Sequence, residues 1–302
     1  MSKFIVTPYS ISDIKLLKDI NVKAVLINTA FLSVTSTSCF NLSDLSSIKN
    51  ECKECGLELY INVNSFFMEE DIDKLIDSLK KIRDVNVDGI YFSDLGVLYE
   101  AEKLGMLNLL IYNPETLICN EYDAKYFLDL GIKRVVLSKE ITLSDIGKIA
   151  NSDLDPKRLE VFIHGRTLMM NSRRKLISNY LKFIKEDSSI VKDNSKLYLI
   201  EEKRSDHLPI IEDDKGTRIY SGYILNAIED IEALVEYGID NFIIDVMGYD
   251  IQYVITIIKL YSNIIDGTIT NELAMKELIE LTKDRIDTGF FHKATSTIKV
   301  GD

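Results

Sequence analysis

No window of this sequence approaches the roughly 20 consecutive apolar residues that a bilayer-crossing helix needs, although 46% of its 302 residues are hydrophobic. The opening MSKFIVTPYS has no basic stretch leading into an apolar run and a small-residue cleavage site. A soluble, cytoplasmic chain with no membrane association is therefore expected. Cysteine is scarce as well: Cys39, Cys52, Cys55 and Cys119 are too few and too scattered for a secreted disulfide framework. Cys52 and Cys55 form a CxxC, but they continue the helical apolar spacing of Leu45 and Ile48, and no further pair of ligands accompanies them at zinc spacing. Both thiols are expected to face the core, and no metal site is expected. Positive charge is in deficit, with 36 Lys and Arg against 48 Asp and Glu for a net charge of −12. That balance argues against a nucleic-acid binder coated in basic residues, though not against a local basic patch. HExxH, GxSxG, the P-loop and any Cys/His nucleophile arrangement are all missing.

What is present is a regular alternation. Short β-branched runs at Phe4–Thr7, Ala24–Asn28, Leu57–Val63, Gly89–Ser93, Leu107–Tyr112, Arg134–Ser138, Leu159–His164 and Asn241–Asp245 read as strands. Between them, apolar stripes at helical spacing cover Ile11–Ile20, Leu42–Cys55, Glu69–Arg83, Gly96–Leu104, Glu121–Leu130, Leu143–Ala150 and Ile228–Tyr237. Ser10, Asn41 and Thr142 are cap signals, while Gly56, Gly105 and Gly131 are stop signals. Eight strands in βα alternation close most simply into a parallel (β/α)₈ barrel. A doubly wound open sheet is the competitor, but its glycine-rich turn after the first strand is replaced by Thr7-Pro8-Tyr9-Ser10. The rhythm breaks between the seventh and eighth strands, where residues 166–220 are too long for an ordinary βα loop. One barrel domain over residues 1–302 is expected, with that insertion over the C-terminal face and with Tyr253–Ile265 and Glu272–Lys283 as closing helices.

In such a barrel, sites are built at the C-terminal strand ends. Asn28, Asn62, Asn64, Asp94, Asn113, Glu115, Lys139, Glu140, His164 and Asp245 fall there. A ring of asparagines and carboxylates suits a small polar ligand, although any one of them can equally be a cap or a solvated strand end. His164 stands out, because a histidine ending a strand can exchange a proton near neutral pH; a structural histidine is the plain alternative. The insertion adds the basic run Arg173-Arg174-Lys175.

The stretch Glu160-Val-Phe162-Ile-His164-Gly165-Arg-Thr-Leu168 resembles the signature of the collagenase-like U-32 peptidase family. Ile177 and Ser178 match its second half, whereas Leu168 and Lys175 stand where cysteines belong and Arg173 replaces a glycine. Glu202-Lys-Arg204, His207, Pro209, Glu212-Asp213-Asp214, Gly216-Thr217 and Ser221 are similar to the family's acidic segment, and Ile239-Asp240, Asp245 and Thr288-Gly289-Phe290-Phe291 also fit. The form it most resembles is the short member of a paralogous pair implicated in tRNA wobble-uridine 5-hydroxylation. The resemblance implies a longer paralogue as partner, tRNA as substrate and prephenate as hydroxyl source. Relatives hold an iron–sulfur cluster on four cysteines; with Leu168 and Lys175 in place of two of them, no cofactor is expected here.

Glu160, His164 and Asp245 are the candidate catalytic groups. Arg173, Arg174, Lys175, Arg204, His207, Asn64, Asn113 and Glu140 are the candidate binding residues. The arginines suit either a dicarboxylate or RNA phosphates, or else they form a solvated basic helix start. Three functions compete: a subunit of the tRNA hydroxylation system, a peptidase as the family name says, and a non-catalytic binding or scaffold barrel. The missing nucleophile and zinc ligands weigh against the second.

Overall fold

The computed structural model describes residues 3–34, 37–187, 189, 191, 197–202 and 206–293. Strand β1 (Lys3–Val6) leads through helix α1 (Asp13–Leu16) to β2 (Val22–Ile27), α2 (Leu45–Cys55), β3 (Glu58–Val63), α3 (Ile72–Val85) and β4 (Gly89–Phe92). Helix α4 (Leu95–Lys103), β5 (Leu110–Tyr112), α5 (Glu121–Asp129), β6 (Arg134–Val136), α6 (Leu143–Ala150) and β7 (Leu159–Gly165) continue the alternation. The insertion supplies β8 (Leu168–Ser172), α7 (Leu176–Ile184), β9 (Tyr198–Ile200), β10 (His207–Asp213) and β11 (Gly216–Tyr220). After β12 (Tyr223–Asn226) and α8 (Ile231–Glu236), the barrel is completed by β13 (Asn241–Asp245), followed by α9 (Ile251–Ile265), α10 (Asn271–Leu281) and β14 (Arg285–Asp287).

Strands β1 to β7 pair in sequence, all parallel, and β13 pairs with both β1 and β7, so the eight strands close on themselves. This is the (β/α)₈ barrel, not the open sheet. Its strands are buried along nearly their whole length, because helices cover one face and the packed interior covers the other. β6 is short, and above its end β12 takes the vacated edge of β7, pairing Leu225 with Gly165.

Several predicted boundaries shift for local reasons. The Asp13 carboxylate accepts hydrogen bonds from the amides of Tyr9 and Ser10, and α1 shrinks to a single turn in place of Ile11–Ile20. Leu107–Leu109 winds into a 3₁₀ turn, leaving only Leu110–Tyr112 as strand. Thr142 does cap α6, its hydroxyl accepting from the Asp145 amide, and Gly56 closes α2 in the left-handed conformation. Cys52 is buried on the inner face of α2, but Cys55 is only partly buried, its Sγ 3.9 Å from a Glu51 carboxylate oxygen.

The insertion is a four-stranded antiparallel sheet in the order β8-β11-β10-β9, with α7 following β8. Its hairpin turns at Asp214-Lys215, and Gly216 follows at φ 113°, where a Cβ would meet the Ser172 carbonyl oxygen at 2.0 Å.

Candidate active site at the barrel mouth

At the C-terminal end of the barrel the strand ends enclose a small cavity of about 50 Å³. Its walls carry Asn62, Asn64, Asn113, Glu115, Lys139 and Asp245, over an apolar lining that includes Leu26, Phe162 and Ile243. The floor is Tyr91, whose hydroxyl donates downward to Glu160. Leu168 and Tyr220, from the first and last strands of the inserted sheet, complete the wall.

The charges at this mouth are ordered. Lys139 pairs with Glu115 and lies 4.4 Å from the centre of the Phe162 ring, a cation–π placement. Arg166 is nearly buried and donates to the Ser221 carbonyl at 2.8 Å while pairing with Asp284 at 2.7 Å. Among the described residues Asp245 has no hydrogen-bond partner at Oδ1; burial pushes its carboxyl above the usual range, while Thr37, Lys139 and Thr7 pull the other way. A carboxyl held toward its protonated form beside two cations can give or take a proton and can sit against an anion.

Of the residues expected at the site, the structure brings Asp245, Asn64 and Asn113 together around this cavity. Asn64 accepts from the Val34 amide at 3.1 Å and Asn113 from the Glu115 amide at 3.3 Å, which fixes their carbonyl oxygens. Glu140 lies outside the cavity and is exposed.

Two expected catalytic groups stand elsewhere. Glu160 is fully buried one inward position below Phe162, where Arg134 donates to one carboxylate oxygen and Tyr91 to the other. It is the centre of an internal ion pair beneath the cavity, not a group facing it. His164 would face the mouth by strand alternation from Phe162. A register shift skips Ile163, because Ile243 pairs with Phe162 and Ile244 with His164. The ring turns instead to α9, with Nε2 at 3.1 Å from the Tyr253 hydroxyl and Nδ1 at 3.3 Å from the Tyr261 hydroxyl. Fully buried there, it is pushed down to about 3 by desolvation and stays neutral.

The basic run belongs to a neighbouring cleft. Arg173 donates to the Phe66 carbonyl at 3.3 Å and lines a cavity of about 340 Å³ between the insertion and the loops after β2 and β3. Among the described residues that cavity shares no lining residue with the mouth. Lys215 sits in it, donating to the Phe31 carbonyl and, at 3.0 Å, to Ser65; burial pushes its pKa down to about 8. Arg174 is exposed, and Lys175 pairs with Asp214 at 3.0 Å on the surface. His207 opens β10, exposed and 6.0 Å from the Tyr198 ring. Arg204 lies outside the described residues. One ligand touching His164, Arg173 and Arg174 together is therefore not what the geometry offers. Arg166, Thr37 and Tyr220 are mouth residues that sequence reasoning did not single out; each arrives from a loop or from the inserted sheet, with no periodic signal to mark it.

The signature residues have structural work. Gly165 adopts φ 134°, and a Cβ there would stand 1.9 Å from the Asp245 carbonyl oxygen, so only glycine lets β7 and β13 meet at the mouth. Glu212, buried under the hairpin, accepts from the amides of Ile177 and Ser178 and from the hydroxyls of Ser178 and Thr217, which caps α7. Leu168 has no donor atom and Lys175 is an ion-paired ammonium. Among the described residues no three His, Cys, Asp or Glu side chains converge as metal ligands.

The profile of peptidase family U32 matches residues 12–300. The chain belongs to this family. It is 29% identical over 306 aligned positions to tRNA hydroxylation protein P2 of Bacillus subtilis (strain 168), covering 97% of this chain and 98% of that protein. It is 24% identical to tRNA hydroxylation protein P1 of the same organism over 76% of this chain, which spans 54% of that longer protein. Among solved structures, the U32 peptidase Mk0906 superposes with a TM-score of 0.51 at 11% identity, over 83% of this chain and 94% of that one, a likeness of fold. Among the described residues no helix is long and apolar enough to cross a membrane.

Proposed function

We propose that this U32 chain is a subunit of a tRNA wobble-uridine 5-hydroxylation system that draws its hydroxyl group from prephenate and works with a longer family paralogue. The observation that carries this reading is the end-to-end match to tRNA hydroxylation protein P2, which leaves almost none of either chain unaligned. The second, longer relative in that same organism, also named for tRNA hydroxylation, supports a paralogue as partner.

The site is compatible with this division of labour. A mouth with Lys139, Arg166 and Asp245 suits the carboxylate-bearing end of a small molecule. Arg173 and Arg174, outside the mouth on the insertion, suit RNA phosphates. Among the described residues no cysteine, serine or histidine lines the mouth; its one hydroxyl from a Thr side chain is Thr37. The reading is tested in a deletion strain complemented with the wild-type gene, with and without the longer paralogue and with and without prephenate synthesis. Hydroxyuridine should return only when both proteins and prephenate are present. Its return without prephenate would remove the proposed hydroxyl source, and its return without the paralogue would remove the partnership.

A further inference from the structure

Four neighbouring barrel strands, in the order β13-β1-β2-β3, each deliver to the mouth end of the barrel one buried polar atom with no hydrogen-bond partner among the described residues. These are Asp245 Oδ1 at the end of β13, Thr7 Oγ1 just beyond β1, Asn28 Nδ2 just beyond β2 and Asn62 Oδ1 within β3. Thr7, Asn28 and Asn62 are exposed by only 2%, 1% and 3%. Asn62 and Asp245 line the mouth cavity itself. The Thr7 hydroxyl is near enough to hold the Asp245 carboxyl down, without completing a hydrogen bond to Oδ1.

Buried polar atoms in proteins are almost always paired, and leaving one unpaired costs more than a made bond returns. The two asparagines show how the arc is set. Asn62 Nδ2 donates to Asn28 Oδ1 at 3.0 Å, which orients both amides and leaves one donor, on Asn28, beside one acceptor, on Asn62. A donor next to an acceptor is the complement of a hydroxyl, which gives one proton and accepts another. The cavity of about 50 Å³ has room for one such group and a few atoms around it, since a single water occupies roughly 10–15 Å³ on this measure. Lys139, paired with Glu115, and Arg166, paired with Asp284, line the same cavity and are its two cations.

We infer that Asn28 and Asn62, with Thr7 and Asp245 beside them, are the specificity-determining residues for an uncharged hydroxyl on a small carboxylate ligand, held with its carboxylate toward Lys139 and Arg166. This rests on the mouth being a small-molecule site, as proposed above, and assigns the end of the ligand that is read there. Sites built to bond a hydroxyl reject analogues lacking it more strongly than apolar pockets reject a missing methylene.

The test uses cis-4-hydroxycyclohexanecarboxylate and cyclohexanecarboxylate, which differ only in the hydroxyl, titrated calorimetrically into the full chain, with prephenate titrated separately. The hydroxyl should improve affinity at least about tenfold in the wild type and not at all in Asn28→Leu/Asn62→Leu, whose leucines keep the shape and remove the polar atoms. The single variant Asn28→Asp, which keeps the shape and the acceptor for Asn62 Nδ2 but replaces the free donor by a second acceptor, should also lose the preference and covers the case in which the double variant does not fold. A hydroxyl worth less than twofold in the wild type, or a preference that survives in either variant, overturns the inference, and the arc then holds ordered water only. Failure of both probes to bind also overturns it. Prephenate binding without hydroxyl preference removes the arc alone, while hydroxyl preference without prephenate binding keeps the arc and removes the prephenate reading.

Discussion

Replacing Glu160 by glutamine separates the structural reading of this residue from a chemical one. The carboxylate is fully buried and takes hydrogen bonds from Arg134 and Tyr91, while Arg134, 5% exposed, also donates to Tyr60. Glutamine keeps the shape but leaves the Arg134 guanidinium as an uncompensated charge inside the barrel. Breaking a buried pair in this way costs about 3–5 kcal/mol, far more than the pair's net worth against an apolar replacement. For a 302-residue chain the unfolding entropy is about 0.6 kcal/mol/K, so Glu160→Gln should lower Tm by about 5–8 °C. Glu160→Met combined with Arg134→Met removes both charges and should recover most of that loss. Thermal melts of the three proteins, followed by circular dichroism, decide the matter. A Glu160→Gln melt within about 1 °C of wild type would refute the argument, and lost tRNA modification with that unchanged melt would return Glu160 to the chemistry.

Stability should fall in acid through His164. The native ring is held at about 3 by burial, whereas an unfolded histidine protonates near 6.5. The unfolded chain therefore gains a proton that the native chain refuses, and stability drops as pH falls from about 6.5 toward 3, by up to about 1.4 kcal/mol per pH unit. His164→Phe should flatten that part of a urea-denaturation pH profile, and an unchanged slope would contradict the neutral assignment. Arg173→Ala/Arg174→Ala should lower tRNA modification or affinity about ten- to hundredfold if the pair meets phosphate and leave Tm nearly unchanged, both residues being exposed. Full modification would make the basic run a solvated face, and a collapsed melt would make it structural. Because Leu168 and Lys175 cannot ligate iron, anaerobically purified protein should show neither iron–sulfur absorbance nor stoichiometric iron; a reproducible cluster would overturn the cofactor assignment.

The barrel was legible because its strands are buried on both faces and its helices carry one apolar stripe each, which are local, periodic signals. The inserted sheet was not: Pro209 and the charges of Glu212-Asp213-Asp214 break the look of β10, whose partners lie on either side of it in a hairpin and an edge strand. The ring of asparagines at the strand ends could be read from position alone, and Asn64, Asn113 and Asp245 do meet at the mouth. His164 could not, because one skipped residue in the β7–β13 register reverses the side it faces. Glu160 looked chemical because its partner, Arg134, is 26 residues away and only the closed barrel brings them together. Arg166 is similar, held by Ser221 and Asp284 from distant segments.

The most direct measurement of the functional claim is nucleoside mass spectrometry of tRNA from a strain lacking this gene alone. The account predicts that 5-hydroxyuridine and the nucleosides derived from it are lost or sharply reduced at the wobble position and return when the gene is restored. Wild-type levels in the deletion strain, grown under conditions in which the gene is expressed, would contradict it.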